Sequence, residues 1–143
     1  MAKGKWIQGI FNPTNPQKYK GDVNNIVFRS SWEDYFANFL DKNPHVVEWS
    51  SEELQIPYFN PILNRPATYF PDFWVKYRDL NNNIQIEVIE IKPSKQVEKP
   101  TNRSRRETRE TWCVNAAKWE AAIQFCAKHK MKFRVLTEKS LFK

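Results

Sequence analysis

The sequence contains few cysteines and no long hydrophobic run. Only two of its 143 residues are cysteines, Cys113 and Cys126, and their spacing matches no metal-binding motif. Two cysteines do not build a disulfide framework, so we expect reduced, packed thiols. No segment approaches the ~20 apolar residues of a transmembrane helix, and the lysine-bearing N-terminus has no hydrophobic region typical of a secretory signal. These absences predict a chain that is neither exported nor inserted into a membrane.

Other familiar signals are also missing from the sequence. No helix-turn-helix or zinc module and no internal repeat is recognisable, and only two histidines are present, His45 and His129. His45 has no partner that the sequence reveals. His129 lies between two lysines at the end of a predicted helix, where a cation interacts favourably with the helix dipole, so we do not expect a catalytic role. Aromatic residues are abundant instead, and the length predicts a single domain over residues 1–143.

The charge is unevenly distributed along the chain. The net charge is +7, yet residues 22–91 contain five basic and eleven acidic side chains, a net −6. Residues 1–21 contain four lysines and no acid, and residues 92–143 contain fourteen basic and five acidic side chains, a net +9. An acidic centre between two basic segments suits a polyanion that is gripped from both sides while a cation is held in the middle. The alternative is a basic surface that only keeps the protein soluble.

The segments around Asp72 and Glu90 are the most informative part of the sequence. They flank Asp79–Asn83, a cluster of turn formers between two apolar runs, which predicts a β-hairpin. A turn centred on Asn81 places Asp72 opposite Glu90. Directly opposed side chains have Cβ atoms about 5 Å apart, and two like charges at that distance are destabilising. A fold accepts this repulsion most readily when a cation lies between the carboxylates.

Strand alternation places Glu90 and Lys92 on one face of their strand. The same face includes three aliphatic residues, Ile84, Ile86 and Val88. On a polar face the two charges would form a solvated pair, but at the end of an apolar stripe they would be buried, and buried charges are kept paired or metal-bound. Two carboxylates and a lysine at this spacing are typical of the magnesium site of a phosphodiester-cutting nuclease, so Asp72, Glu90 and Lys92 are candidate catalytic residues.

A helix is predicted from Ser31 to about Asp41, capped by Ser30 or Ser31. Its apolar stripe consists of Trp32, Tyr35, Phe36, Phe39 and Leu40. At about 100° per residue, Glu33 lies about 90° from the centre of this stripe, on its border. A border acid can reach a neighbouring site, but in the first turn it can also serve only the helix dipole. The residues alone favour the dipole interpretation.

The remaining elements predict a mixed sheet packed against helices. About residues 1–27 are expected to form a basic N-terminal arm, and about 93–111 a flexible basic flap that turns helical from Ser104. The other predicted elements, in chain order, are strands at Val46–Trp49 and Leu54–Tyr58, a loop from Pro61 to Pro66, a helix from its cap Asn115 to about Lys130, and a strand at Phe133–Leu136. This order matches the α/β core of restriction-endonuclease-like proteins, in which two neighbouring strands and a helix supply carboxylates.

Eight short segments are also found in a known protein family. They are Gly4–Trp6, Phe28–Glu33, Leu40–Pro44, Ile56–Phe59, Tyr69–Asp72, Ile89–Pro93, Val114–Trp119 and Lys132–Glu138. On these segments the chain resembles the head completion nuclease family of T-even-like tailed phages. They cover nearly the full chain in order, which makes the resemblance specific, and only the 94–111 flap departs clearly from the family. More distantly, the chain is similar to the restriction-enzyme-like subunit of some cut-and-paste transposases.

The resemblance implies a PD-(D/E)xK nuclease fold and roles for four residues. Asp72 and Glu90 would hold Mg²⁺, for which Mn²⁺ could substitute, and Lys92 would position or activate the attacking water. Glu33 would be the helix carboxylate of the site and a third metal ligand, which reverses the dipole interpretation drawn from the residues alone. The family acts late in capsid assembly, when a DNA-filled head is made ready for its tail.

The predicted function is a Mg²⁺-dependent DNA endonuclease of phage head completion, which processes packaged DNA before tail attachment. The alternative is a non-catalytic head-completion protein that plugs the portal and binds DNA electrostatically, although a plug has no need for opposed carboxylates. Expected partners are DNA and head or portal-neck proteins, with no membrane and no organic cofactor, in the host cytoplasm or the virion head. The predicted DNA-binding residues are Lys3, Lys5, Arg29, Lys95, Lys99, Arg103, Arg105, Arg106 and Lys118.

Overall fold

A four-stranded mixed sheet organises residues 8–142, the part of the chain that the computed structural model describes. The strands are β1 (Gly9–Ile10), β2 (Val27–Phe28), β3 (Val46–Ser51), β4 (Ile56–Asn60), β5 (Arg65–Tyr69), β6 (Phe73–Arg78), β7 (Ile84–Ile91) and β8 (Lys132–Leu136). The helices are α1 (Ser31–Lys42), α2 (Ser94–Val97), α3 (Arg106–Lys128) and α4 (Glu138–Leu141), and one 3-10 turn spans Pro16–Lys18. The large sheet has the order β3-β6-β7-β8, while β1 pairs with β2 and β4 pairs with β5.

The β6–β7 hairpin has the register predicted from its turn. Phe73 lies opposite Ile89 and Arg78 opposite Ile84, so the next step of the register aligns Asp72 with Glu90. The Asp79 carboxylate accepts hydrogen bonds from the backbone N–H groups of Asn81 and Asn83, both at 2.9 Å. These local bonds stabilise the turn. The geometry of the turn sets the pairing register, and the register determines which residues lie opposite each other at the other end of the hairpin.

The central strand β7 is buried on both faces at its C-terminal end. It pairs antiparallel with β6 and parallel with β8. Val88 is fully buried, whereas Ile84 at the start of the strand is 42% exposed. The apolar stripe expected to begin at Ile84 therefore begins only near Val88, because the first residues of β7 extend past the layers that cover its centre. Glu90 lies in the buried half.

The larger core lies on the face of the sheet that packs against α1. Phe36 and Leu40 of α1 meet Trp49, Phe73 and other sheet residues there. Phe11, Tyr19 and Ile26 also belong to this core and are at most 7% exposed. Over residues 8–27 the N-terminal segment is therefore docked onto the core, where its apolar side chains complete the packing. Lys3 and Lys5 lie outside the described residues.

The C-terminal end of α1 is held by the same N-terminal segment. The Lys18 ammonium donates hydrogen bonds of 2.8 to 2.9 Å to the backbone carbonyls of Leu40, Asp41 and Asn43. The Asp41 carboxylate is 1% exposed and accepts from the backbone N–H groups of Thr14 and Asn15. A cation at the carbonyl end of a helix and a fully bonded buried acid both stabilise the fold.

The opposite face of the sheet is covered by α3 and by the β4–β5 hairpin. Ala122 packs there with Ile56 and Tyr69. The loop predicted from Pro61 to Pro66 overlaps the start of β5, but this strand pairs only with β4, and a proline is tolerated on such an edge. Within residues 8–142, no helix is long and apolar enough to cross a membrane.

Helix α3 begins at Arg106, two residues after Ser104, where the flap was expected to turn helical, and nine residues before the predicted cap Asn115. The prediction that Asn115 caps the helix is therefore wrong, and Asn115 lies inside the helix with 6% exposure. Arginine and glutamate are good helix formers, and Arg106 pairs with Glu110 one turn later at 3.1 Å, which extends the helix into the predicted flap. Cys126 is packed as expected, but Cys113 on the same helix is exposed.

Candidate active site

Asp72 and Glu90 lie at the same end of the β6–β7 hairpin. Asp72 occupies the bend before β6, Glu90 is the second-last residue of β7, and they are 9% and 6% exposed. The backbone N–H of Ile91 donates to Asp72 Oδ2 at 2.8 Å. This bond joins the Asp72 carboxylate to the strand that presents Glu90, so the two acids share one rigid support. The residue pair expected from the turn register is brought to this end of the sheet.

Both oxygens of the Glu90 carboxylate have a partner. The Tyr69 hydroxyl donates to Oε1 at 2.7 Å, and the Lys92 Nζ lies 3.7 Å from Oε2. Burial raises the pKa of the Tyr69 hydroxyl, and the negative charge of Glu90 raises it further. Tyr69 therefore stays a neutral donor throughout the ordinary pH range. Tyr69 was not among the predicted site residues, because local sequence does not show that the end of β5 brings this hydroxyl to Glu90.

Lys92 is positioned by the backbone of β8. Its N–H donates to the carbonyl of Leu136 at 2.9 Å, so the residue continues the strand pairing beyond the end of β7. The side chain is 22% exposed and points along the same edge as Glu90. A lysine that is partly covered, paired loosely with a carboxylate and still open to solvent is suited to meet an incoming phosphate.

Glu33 lies on the buried face of α1, not on its border. It is 2% exposed, and the other residues of that face are Phe36, Ala37, Leu40 and Asp41. The predicted stripe is rotated because Tyr35 and Phe39 are about half exposed, at 49% and 51%. Ser30 caps the helix by accepting from the Glu33 N–H at 3.2 Å. Glu33 therefore lies on the core side of the helix, and its role in the site stays a prediction.

Arg29 connects the acids around the hairpin end. Its backbone N–H donates to Glu33 Oε1 at 3.2 Å, and its guanidinium Nε donates to both carboxylate oxygens of Glu52 at 3.1 and 3.2 Å. The hydrogen bonds and charge of Glu52 raise the pKa of Arg29, and the charges of Glu33 and Asp72 add to this effect. Arg29, predicted as a DNA contact, is therefore already engaged with acids, although half of its side chain is exposed.

The three predicted metal ligands do not form one closed cluster. Among residues 8–142, no group of three or more His, Cys, Asp or Glu side chains is arranged to hold a metal ion. The donor chemistry at the hairpin end nevertheless fits Mg²⁺, which takes oxygen ligands and is often bound by only one or two carboxylates together with water and substrate phosphate. Asp72 and Glu90 could hold such an ion, with Glu33 behind them on α1.

The predicted DNA-binding residues fall into two groups. The exposed residues of the flap and of the start of α3 are Lys95, Lys99, Arg103, Arg105 and Arg106. Lys118 lies further along α3 and is partly buried, with its Nζ 5.9 and 5.6 Å from the ring centroids of Tyr58 and Tyr69. Because Tyr69 is also the partner of Glu90, Lys118 lies beside the acidic end of the hairpin, whereas the flap residues surround it at a greater remove.

Comparison with known proteins agrees with the arrangement of these elements. Residues 43–138 match the family described as TnsA-like endonuclease N terminal. The chain is also 40% identical to the head completion nuclease of Enterobacteria phage T4, over 96% of this chain and 92% of that protein. Both matches confirm the resemblance seen in the sequence, and the mixed sheet flanked by helices has the restriction-endonuclease-like fold. Asp72, Glu90 and Lys92 lie within the matched range, and Glu33 precedes it.

Proposed function

The chain belongs to the family of TnsA-like endonucleases, and we propose that it cuts DNA in a Mg²⁺-dependent reaction during completion of a phage head. The observation that supports this proposal most directly is the Glu90 carboxylate, held between the Tyr69 hydroxyl and Lys92 beside Asp72. Two neighbouring buried carboxylates offer the oxygen ligands that a divalent cation such as Mg²⁺ prefers.

Each residue of the site has a distinct proposed task. A bound Mg²⁺, or Mn²⁺ in its place, would polarise the scissile phosphoryl group and lower the pKa of a coordinated water. Asp72 and Glu90 would hold the ion, with Glu33 as a further carboxylate. Lys92 would contact the scissile phosphate as a point charge and position the attacking water. Tyr69 keeps Glu90 in one orientation, so that less reorganisation is needed when charge develops on the phosphate.

The substrate and setting follow from the relative. The T4 protein is named a head completion nuclease, and we infer that this chain likewise processes packaged DNA before the tail attaches. Its partners would be DNA and head or portal-neck proteins, and it would work in the host cytoplasm or inside the virion head. The overall charge of +7 favours contact with the DNA backbone.

A non-catalytic role as a head plug is the second candidate. One surface favours it, because Tyr35 and Phe39 of α1 and Phe142, which contacts Tyr35, are about half exposed. Exposed aromatic patches commonly mark contacts with other proteins. The two roles are compatible, since the patch lies on the exposed side of α1, whereas Glu33 lies on its buried face.

The basic flap is proposed to hold DNA without reading its sequence. Phosphate contacts position a nucleic acid but carry no direct base information. Neutralising Lys95, Lys99, Arg103, Arg105 and Arg106 should weaken binding to all sequences alike. The slope of log affinity against log salt should fall by about 0.9 for each lost duplex contact, or about 0.7 on single strands. Unchanged affinity and slope would remove the flap from the DNA interface, as would a strong preference for one sequence over shuffled duplexes.

The central experiment is a cleavage assay on plasmid and on branched DNA. Wild-type protein and Asp72→Asn would be compared with Mg²⁺, with Mn²⁺ and with EDTA, after circular dichroism has shown that both are folded. We expect cleavage by the wild type only when a divalent ion is present, and none by the variant. Equal cleavage by Asp72→Asn would reject the site assignment, and a wild type that binds DNA but never cuts it would leave the plug as the function.

A further inference from the structure

We propose that a cavity beside Lys92 binds one unstacked nucleotide of the DNA, with its phosphate toward Lys92 and Lys118 and its base against Ile62 and Leu63. The cavity has a volume of about 430 Å³ and lies between the β4–β5 turn and α3. This volume is in the range of pockets that enclose a small ligand, roughly 300–1,000 Å³. The inference rests on the proposed function, because it names the part of the substrate that the nuclease would receive.

One wall of the cavity presents a polar group that the fold itself does not use. Asn115 lines the cavity and is 6% exposed, yet no described residue hydrogen-bonds to its carboxamide. A buried amide in the middle of a helix is unfavourable unless it has a partner. The carboxamide offers both donors and an acceptor, so it can bond either a phosphate oxygen or the edge of a base.

The positive charge of the cavity comes from two lysines. Lys92 is the proposed catalytic cation, and Lys118 lies over Tyr58 and Tyr69 with no carboxylate at ion-pair distance in the described part of the chain. Glu110 also lines the cavity, but it is paired with Arg106 at 3.1 Å. A cavity with two cations and a compensated acid attracts a phosphate group.

The opposite wall is an apolar turn that is held rigid. The Asn60 carboxamide oxygen accepts from the N–H groups of Ile62 and Leu63 at 2.9 and 3.0 Å. These bonds present two aliphatic side chains that are 42% and 57% exposed. Proteins use such exposed apolar side chains as wedges that unstack bases. The apolar turn suits the face of a base, and the two lysines suit the phosphate of the same nucleotide.

The test uses the full chain in EDTA, so that no cleavage occurs, and oligonucleotides carrying 2-aminopurine at successive positions. This base fluoresces more strongly when it leaves the stack. Wild-type protein should raise the fluorescence at one position, and Leu63→Ser should abolish that rise and weaken binding about five-fold, the low end of what one stacked base contributes. Leu80→Ser is the matched control, because Leu80 is a fully exposed leucine at the tip of the other hairpin.

A second variant separates binding from folding. Asn115→Ala should weaken binding by a similar factor while the melting temperature stays equal to or above that of the wild type, because alanine is the better helix former and no bond within the described structure is lost. Asn38→Ala on α1 is its control and should not affect binding.

The outcomes separate this proposal from the proposed function. If the rise in 2-aminopurine fluorescence is lost in Leu63→Ser and Asn115→Ala but kept in both controls, the nucleotide subsite is supported, whether or not the protein cleaves DNA. No rise at any position, or a rise that both variants retain, overturns it even if Mg²⁺-dependent cleavage is confirmed. A lower melting temperature of Asn115→Ala with unchanged binding would also overturn it, because Asn115 would then be structural.

Discussion

Two glutamates of β7, three residues apart, show how similar surroundings can support different roles. Glu87 and Glu90 are 7% and 6% exposed, and alternation of the strand places them on opposite faces of the sheet. Each accepts a hydrogen bond from a tyrosine hydroxyl, Tyr77 for Glu87 and Tyr69 for Glu90. Each also lies beside one basic side chain. Residue type, burial and partners therefore do not separate Glu87 from Glu90, the acid that is proposed to hold the metal.

The balance of charge does separate them. Arg134 Nε lies 2.9 Å from Glu87 Oε1 as an ion pair, although the N–H is not aligned for a hydrogen bond. Lys92 lies 3.7 Å from Glu90, and Asp72 adds a second negative charge at the same strand end. Glu87 is thus paired at short range, whereas Glu90 is paired loosely and lies beside a second carboxylate, an arrangement of oxygen ligands that suits a divalent cation.

The largest expected effect comes from replacing the two glutamates in turn. Glu90→Gln should reduce Mg²⁺-dependent cleavage at least about 100-fold, the scale of losing one preorganised electrostatic group, without lowering the melting temperature. Glu87→Gln should keep cleavage near the wild-type rate and cost about 1 kcal/mol of stability, since half of the Arg134 side chain is exposed. Single-turnover assays measure the cleavage rate of each variant, and thermal unfolding measures its stability. Equal loss of cleavage in the two variants would contradict the distinction.

The basic partners provide the next comparison. Lys92→Ala should lower the cleavage rate about 100-fold and DNA affinity much less, because one phosphate contact among many contributes little to binding. Arg134→Ala should leave the rate intact and lower the stability by about 1 kcal/mol, because the buried Glu87 loses its ion pair. Fluorescence anisotropy in EDTA and single-turnover rates give affinity and chemistry separately. If Lys92→Ala loses binding and rate in proportion, Lys92 is only an anchor.

The tyrosines should show a smaller difference in the same direction. Tyr69→Phe removes the donor to Glu90, so we expect a several-fold slower reaction that needs a higher Mg²⁺ concentration for half-maximal rate. Tyr77→Phe removes the corresponding donor to Glu87 and should cost about 1 kcal/mol of stability with no change in Mg²⁺ dependence. A Mg²⁺ titration of the cleavage rate of both variants shows whether each tyrosine affects the Mg²⁺ dependence. Identical titration curves would show that Tyr69 only fills space.

The parts of this fold that sequence could predict are those set by local chemistry. The β6–β7 register follows from the turn at Asp79–Asn83, and Ser30 caps α1 as expected. The family resemblance added the fold, which the comparisons confirm. The roles proposed for Glu33 and Lys92 stay predictions.

The parts that could not be predicted depend on contacts distant in sequence. Tyr69 meets Glu90 only because β5 pairs with β4 and packs under α3. Asn115 lies inside α3 and does not cap it, because the helical part of the flap expected from Ser104 is continuous with the helix that follows. The burial of Glu33 depends on which aromatic residues of α1 face the core, and Tyr35 contacts Phe142 at the far end of the chain instead.

A partly exposed glutamate, Glu138, provides the comparison with the smallest expected effect. Glu138 accepts from the hydroxyl and the backbone N–H of Ser94, both at 2.8 Å, at the point where the basic flap leaves the site. The hydrogen bonds from Ser94 lower the pKa of the Glu138 carboxyl below its ordinary value, and the bond from the Ser94 hydroxyl has the largest effect. A depressed carboxyl pKa contributes stability that is present above the unfolded-state pKa, about 4.3, and is lost as pH falls through the lower folded value.

Glu138→Gln should therefore lower the melting temperature slightly at pH 7, and this difference from wild type should shrink as pH falls below about 4. Ser94→Ala should show the same trend, because it removes one of the two bonds from the other side. Thermal unfolding of both single variants and of the double variant measures the coupling between Glu138 and Ser94. The measurements run from pH 3 to pH 7, a range that includes the pKa of an ordinary carboxyl group. A difference that grows as pH falls would mean that the protonated acid is the form the fold prefers. Cleavage at pH 7 should change little, because Glu138 fixes where the flap starts and touches neither Glu90 nor Lys92 in the described structure.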